Sequence, residues 1–485
     1  MPGRPMVSTG RLYIDGGWRE GVAGERRAVI DPSTGTIVET VVDGGEADID
    51  VAVTAARRAF DEGPWPRMSG RERARVLIRV AELVREHADE LARLETLDVG
   101  KPITLSRVVD VNTVIEQYEY YAALAQTIDG STRSISVPAL AYTRREPIGV
   151  VGAITPFNFP LILSNSKIAP ALAAGNTIVH KPAEDTPLSA LRMAELFSAA
   201  GVPDGVLNVV TGGAVAGQAL IRHPGVDKIA FTGSTPVGRS VASLAGEFLK
   251  PATIELGGKS AQLIFADADL DTAIGAAIQG FVFNTGQFCM GGTRLLVARE
   301  LFDTVVEAVA GGAAGVPVGD PFEESTIVGP LGGERHLAKV EEYIQLARAT
   351  NGVRIVTGGR RLDLGGGSYY APTVITGMPN DSRLVQEEIF GPVLTVQPFD
   401  DEDEAVALAN STPFGLAAGL HTRDVARAHR VAARLAAGIV WVNGWALLDP
   451  AMPFGGYKQS GYGRENGPEG LHEYTQVKSV IVALT

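Results

Sequence analysis

Apolar residues recur at helical spacing between positions 69 and 100. Val76, Val80, Leu83, Leu91 and Leu94 fall on one face, Ser69 and Glu72 are spaced as a capping box, and Gly100-Lys101-Pro102 supplies a stop. One scaffold helix is predicted there. From about Ile148 the pattern changes to short β-rich apolar runs alternating with Ala-rich helical runs, at 149–154, 177–180, 207–210, 227–231 and 253–256. Strands separated by helices imply βαβ units and a parallel sheet, with ligands expected at the carboxyl ends of the strands. A second α/β stretch runs from about Gly257 to Tyr457, with strand-like runs at 262–265, 294–297 and 438–442. Two further stranded segments, 128–145 and 477–482, lie far apart in sequence and are suited to pair with each other or with a partner subunit.

Length and charge narrow the classes. At roughly 150 residues per domain, 485 residues make about three domain-sized units. Apolar residues are 45% and charged residues 20%, the balance of a well-packed soluble protein. The net charge of −13 argues against nucleic acid or an anionic membrane as the main partner. The start, Met1 to Met6, has no secretory apolar core, and no window reaches the roughly 18 apolar residues of a membrane span, so a cytoplasmic protein is expected. Cys289 is the only cysteine and has no partner for a disulfide or a zinc site. Histidine spacing suggests no metal, and no GxSxG elbow is present.

Several motifs carry chemistry beside a plainer reading. Gly233-Ser234-Thr235-Pro236-Val237-Gly238 follows an apolar strand and opens a helix, so its amides suit a pyrophosphate; Gly212 to Gly217 is a near copy, and tight turns need glycine anyway. Gly258-Lys259-Ser260 lacks the glycine that a P-loop needs at the position of Thr253. Lys181 and Glu184 follow a strand, as ribose-binding groups or as surface charge. Cys289 is either a small buried hydrophobe or a nucleophile on a glycine-rich turn. Glu255 is either paired with a lysine or raised as a base, and Asn158, between prolines and aromatics, is a turn former or a fixed donor.

Seven segments, 156–158, 181–184, 231–235, 255–259, 287–289, 387–392 and 453–456, occur in an order that resembles the aldehyde dehydrogenase superfamily, with 34 residues from Glu255 to Cys289. The resemblance spans nearly the whole chain. It implies an α/β fold: a Rossmann-like dinucleotide-binding domain (1–127 and 147–257), an α/β catalytic domain (258–457), and a small β oligomerisation ribbon with bridging segments (128–146 and 458–485). It also implies a homotetramer or homodimer.

Carried over by resemblance, Cys289 is the nucleophile, Glu255 the general base, Asn158 an oxyanion donor with the Cys289 amide, and Glu465 a second proton-moving acid. The cofactor would meet Thr155, Pro156, Phe157, Lys181, Glu184, Gly233, Ser234, Thr235, Leu256, Glu388 and Phe390. A carboxylate at Glu184 favours NAD over NADP, while Lys181 leaves NADP open. The aldehyde tunnel would be lined by Phe159, Leu163, Phe288, Met290, Leu448 and Phe454, which suits aromatic or medium-chain aliphatic aldehydes. Asp449 beside it would instead attract a cationic aminoaldehyde or betaine-type aldehyde, or is a solvated loop carboxylate. The presence of Glu255 points to a free acid product. Two rivals predict otherwise: a silent binder would have lost Cys289, Glu255 or Asn158, and a cysteine hydrolase would not need the loop at 233–238.

Overall fold

A computed structural model describes residues 10–484; the start read at 1–6 in the sequence lies outside the described residues. Two large sheets organise the chain. The first has eight strands, with Val150–Ile154 at its centre. From there the chain steps to Thr177–Lys181 and Leu207–Val209 on one side, then returns to place Lys228–Thr232 and Ala252–Glu255 on the other. All five run parallel, and the three central strands are buried along their whole length, which is why their sequences read as continuous apolar runs. The reversal of direction between Val150–Ile154 and Lys228–Thr232 is a topological switch point, where open α/β sheets leave a crevice at the strand ends.

The second sheet has seven strands, six of them parallel, with Ala261–Ile264 and Arg294–Ala298 adjacent near its middle. A third, three-stranded sheet joins the two distant segments noted in the sequence. Thr475–Ala483 pairs antiparallel with Ala139–Pro147, in register from Thr475 opposite Pro147 to Ala483 opposite Ala139. Leu140, Val477, Ile481 and Val482 on this ribbon are exposed. Among the described residues no helix is long and apolar enough to cross a membrane.

The scaffold helix departs from expectation. Ser69 and Glu72 do form a capping box, with the Ser69 N–H donating to Glu72 at 2.7 Å, but the helix ends at Glu86 and a second runs Ala88–Val99. His87 leaves helical geometry at the junction (φ −106°, ψ 22°). The break lets Glu90, in the first turn of the second helix, take Arg192 at 2.9 Å, so tertiary contacts override a continuous helical pattern. Gly100 closes the second helix at φ +77°, where a Cβ would come within 2.4 Å of Pro330.

Candidate active site

The ends of the central strands of the first sheet open into a cavity of about 700 Å³ that extends to the second sheet. Pro156, Phe157 and Asn158 enter it from the strand Val150–Ile154, and Thr232, Gly233 and Ser234 from Lys228–Thr232. Leu256, Gly257, Cys289, Glu388 and Phe390 complete the wall near the second sheet. The helix Thr235–Glu247 starts here with no side-chain cap, so its first N–H groups are free for an anion. Thr235 Oγ1 is buried without a partner at the same turn. Gly233 is required because a Cβ would lie 2.5 Å from the Phe231 ring.

Cys289 sits after a turn in which Asn284, Thr285 and Gly286 all have positive φ (46°, 57° and 71°). Two of these are not glycine, so the turn is strained, and its surroundings hold it. Asn284 Nδ2 donates to the Asn158 carbonyl at 2.9 Å and to the Gln287 carbonyl at 3.2 Å, while Asn158 Nδ2 donates to Gln287 at 2.9 Å. Asn158 is therefore a fixed amide beside the cysteine, with its second N–H left over. Burial pushes the Cys289 thiol up, and the Glu388 and Glu255 carboxylates add to this.

Glu255 ends its strand 2% exposed, and neither carboxylate oxygen has a hydrogen-bond partner. Burial, reinforced by Glu465, holds its carboxyl well above the usual range. Of the two sequence readings, the lysine pair is not formed, since Lys259 Nζ is itself buried and unpartnered. Glu465 differs. Lys167 and Ser166 both donate to it, the latter at 2.9 Å, and Lys167 also donates to Thr232 Oγ1 at 2.6 Å. Glu388 accepts from the Gly258 N–H at 2.9 Å, and a Cβ on Gly257 would meet its carboxylate at 2.2 Å. Phe390, at φ +63°, packs edge-on against Phe157 and His336, and His336 is bonded to its carbonyl.

A thiol, a fixed amide donor and an uncapped helix N-terminus around one crevice, with the unpaired raised carboxyl of Glu255 one residue before the wall residue Leu256, suit covalent attack on a carbonyl beside a bound phosphate-bearing ligand. The comparisons with known proteins agree. A profile of the aldehyde dehydrogenase family matches residues 18–480. This chain belongs to that family. It is 46% identical over 480 residues to DhaS of Bacillus subtilis (strain 168), covering 99% of this chain and 97% of the relative. It is 44% identical over 476 residues to aldehyde dehydrogenase 1 of Tanacetum cinerariifolium (98% and 95% covered). Among solved structures, an NAD+ complex of aldehyde dehydrogenase from Bacillus cereus superposes with a TM-score of 0.96 at 45% identity, covering 98% and 96% of the chains.

The remaining residues expected at an aldehyde dehydrogenase site fall into four groups. Phe159, Phe288, Met290 and Phe454 pack into one buried cluster with Leu163 and Cys289 at its edge, joined by Trp441 and Trp445. Leu448 is 51% exposed and outside that cluster. Lys181 donates to the Pro182 and Gly212 carbonyls at 2.7 and 2.8 Å and stands 3.9 Å from Glu184, beside the second glycine turn and not on the main cavity wall. Thr155, also buried, contacts His180 at 2.9 Å behind the wall. Sequence reasoning missed Lys167, Asn284 and His336. Asn284 alone had a local signal, its place in the turn before the cysteine.

Proposed function

We propose that this enzyme oxidises an aldehyde to the free carboxylic acid through a thioester on Cys289, with NAD as acceptor. The observation that carries the reading is that Cys289, Asn158, Glu388 and the Gly233–Ser234 turn line one cavity. The residues present fit a dinucleotide: the free helix N-terminus and the orphaned Thr235 hydroxyl suit its phosphates, and Glu388 with Phe390 would hold the nicotinamide ribose and ring. Lys181 and Glu184 would hold the adenosine ribose, where the carboxylate favours NAD. Bound NAD supplies the hydride acceptor.

The chain's own groups account for the rest. Cys289 gives its proton to solvent water and its thiolate adds to the carbonyl carbon. The spare Asn158 N–H and the Cys289 amide hold the oxyanion, each such donor contributing about 10²–10³ in rate. Glu255, unpaired and raised, takes a proton from water in its ionised form as the water attacks the thioester, and returning that proton to the departing sulfur releases the acid and the thiol. The apolar, aromatic cluster around Phe159 and Phe454 supports a neutral aromatic or medium-chain aliphatic substrate. Asp449 accepts from the Ala451 N–H at 2.8 Å, which supports its reading as a loop former over a cation anchor. The exposed apolar ribbon supports a homodimer or homotetramer. The division into a cofactor half around the first sheet and a catalytic half around the second follows from the same assignment. Absorbance at 340 nm across neutral, cationic and anionic aldehydes tests it; no NAD reduction by any aldehyde, from folded protein, would reject it.

A further inference from the structure

Behind the aromatic cluster the fold encloses three ionisable side chains that the reaction does not use. Lys101 Nζ lies 2.6 Å from Asp110 Oδ1 and 3.5 Å from Glu95 Oε1, and all three side chains are fully buried. Glu95 Oε2 and Asp110 Oδ2 have no partner, and burial pushes the Asp110 carboxyl up against the pull of Lys101. Apolar residues of similar volume are often the more stable filling for such a space. What the charges touch gives the reason for them.

Lys101 Nζ lies 4.0 Å from the centroid of the Phe159 ring, a desolvated cation–π contact. Glu95 Oε1 accepts from the Leu161 N–H at 3.1 Å. Leu161 is the second residue of the helix Pro160–Ala174, whose own N-cap position, Phe159, offers no side-chain cap. Glu95 therefore caps this helix from another element, with its charge at the favourable end of the helix dipole. The same entry carries Asn158 one residue earlier. Asp110 reaches Lys101 from a π-helical turn, Ser106–Val111, which a Thr96–Ser106 hydroxyl contact of 3.0 Å ties to the helix bearing Glu95.

We propose that Glu95, Lys101 and Asp110 form a positioning unit that fixes the Phe159 ring and the helix entry behind Asn158, and thereby sets how bulky an aldehyde the tunnel accepts. The proposal rests on Phe159 lining the aldehyde tunnel. Its test is the KM of benzaldehyde divided by that of propanal, at saturating NAD, with kcat recorded for both. The enzymes are wild type, Lys101→Met, Asp110→Asn, Phe159→Leu and the Phe159→Leu/Lys101→Met double variant. Lys101→Met is expected to shift the ratio about tenfold, the size of a desolvated cation–π contact. Asp110→Asn, which keeps the side-chain shape, shifts it about threefold the same way and carries the test alone if the lysine variant does not fold. In the Phe159→Leu background, Lys101→Met shifts the ratio no further. A ratio unchanged in the folded charge variants, or still moved by Lys101→Met when Phe159 is gone, overturns the positioning role. If Phe159→Leu itself leaves the ratio unchanged, the tunnel assignment fails and the proposal falls with it.

Discussion

Glu255 and Glu465 are each 2% exposed, yet the first has no hydrogen-bond partner on either oxygen and the second is held by Lys167 and Ser166. Equal burial has opposite consequences. Without compensation, burial raises the Glu255 carboxyl, which makes it a strong base once ionised. Glu465 is fixed by an ammonium that also grips Thr232 at the edge of the cofactor crevice. The difference teaches that burial raises a carboxyl left without a partner, whereas a neighbour equally buried is held in place by two donors.

Removing the nucleophile sets the scale. Cys289→Ala should lower kcat by a factor on the order of 10⁴ or more while leaving NAD binding intact, read by 340 nm turnover beside fluorescence titration. Glu255→Gln comes next. Steady-state turnover should fall by about 10²–10⁴, while the first NAD reduction persists as a burst, because only hydrolysis of the thioester needs the base. Retention of wild-type steady-state turnover would remove Glu255 from the base role. Lys167→Met should act chiefly on stability: stripping the ammonium from a buried pair costs about 3–5 kcal/mol, measured by denaturant unfolding. Glu465→Gln should cost less activity than Glu255→Gln, and an equal loss would erase the distinction between the two carboxylates.

The sequence showed why each glutamate matters less clearly than it showed where the strands lie. The buried parallel strands announce themselves because both faces are covered, and the Gly233 turn because close approach to Phe231 excludes a side chain. Cys289 and Asn158 were legible through the order of motifs. Lys167 was not. It lies in a mostly apolar helix, and its partner Glu465 is 298 residues away. Nor was the left-handed geometry of Asn284 and Thr285, since local sequence marks only Gly286 as permissive. The break at His87 and the exposure of Leu448 fail for one shared reason: both depend on what packs alongside, which periodicity and motif order do not record.

The smallest expected effect isolates the unpaired carboxyl from the rest of the site. A carboxyl whose pKa is raised on folding binds more protons in the native state than in the unfolded one between the two pKa values. Stability therefore falls as pH rises through that window, which opens near the unfolded glutamate value of about 4.3 and extends upward to the raised native value. Glutamine cannot titrate, so Glu255→Gln removes this loss. The variant should gain melting temperature relative to wild type as pH goes from about 5 to 8, by the roughly 1 °C that each kcal/mol is worth in a chain of this size. Glu465→Gln breaks an existing pair and should lose stability at both pH values. A melting-temperature difference between Glu255→Gln and wild type that stays flat with pH would mean that Glu255 is ionised and paired in solution, and the contrast between the two glutamates would then have to be abandoned.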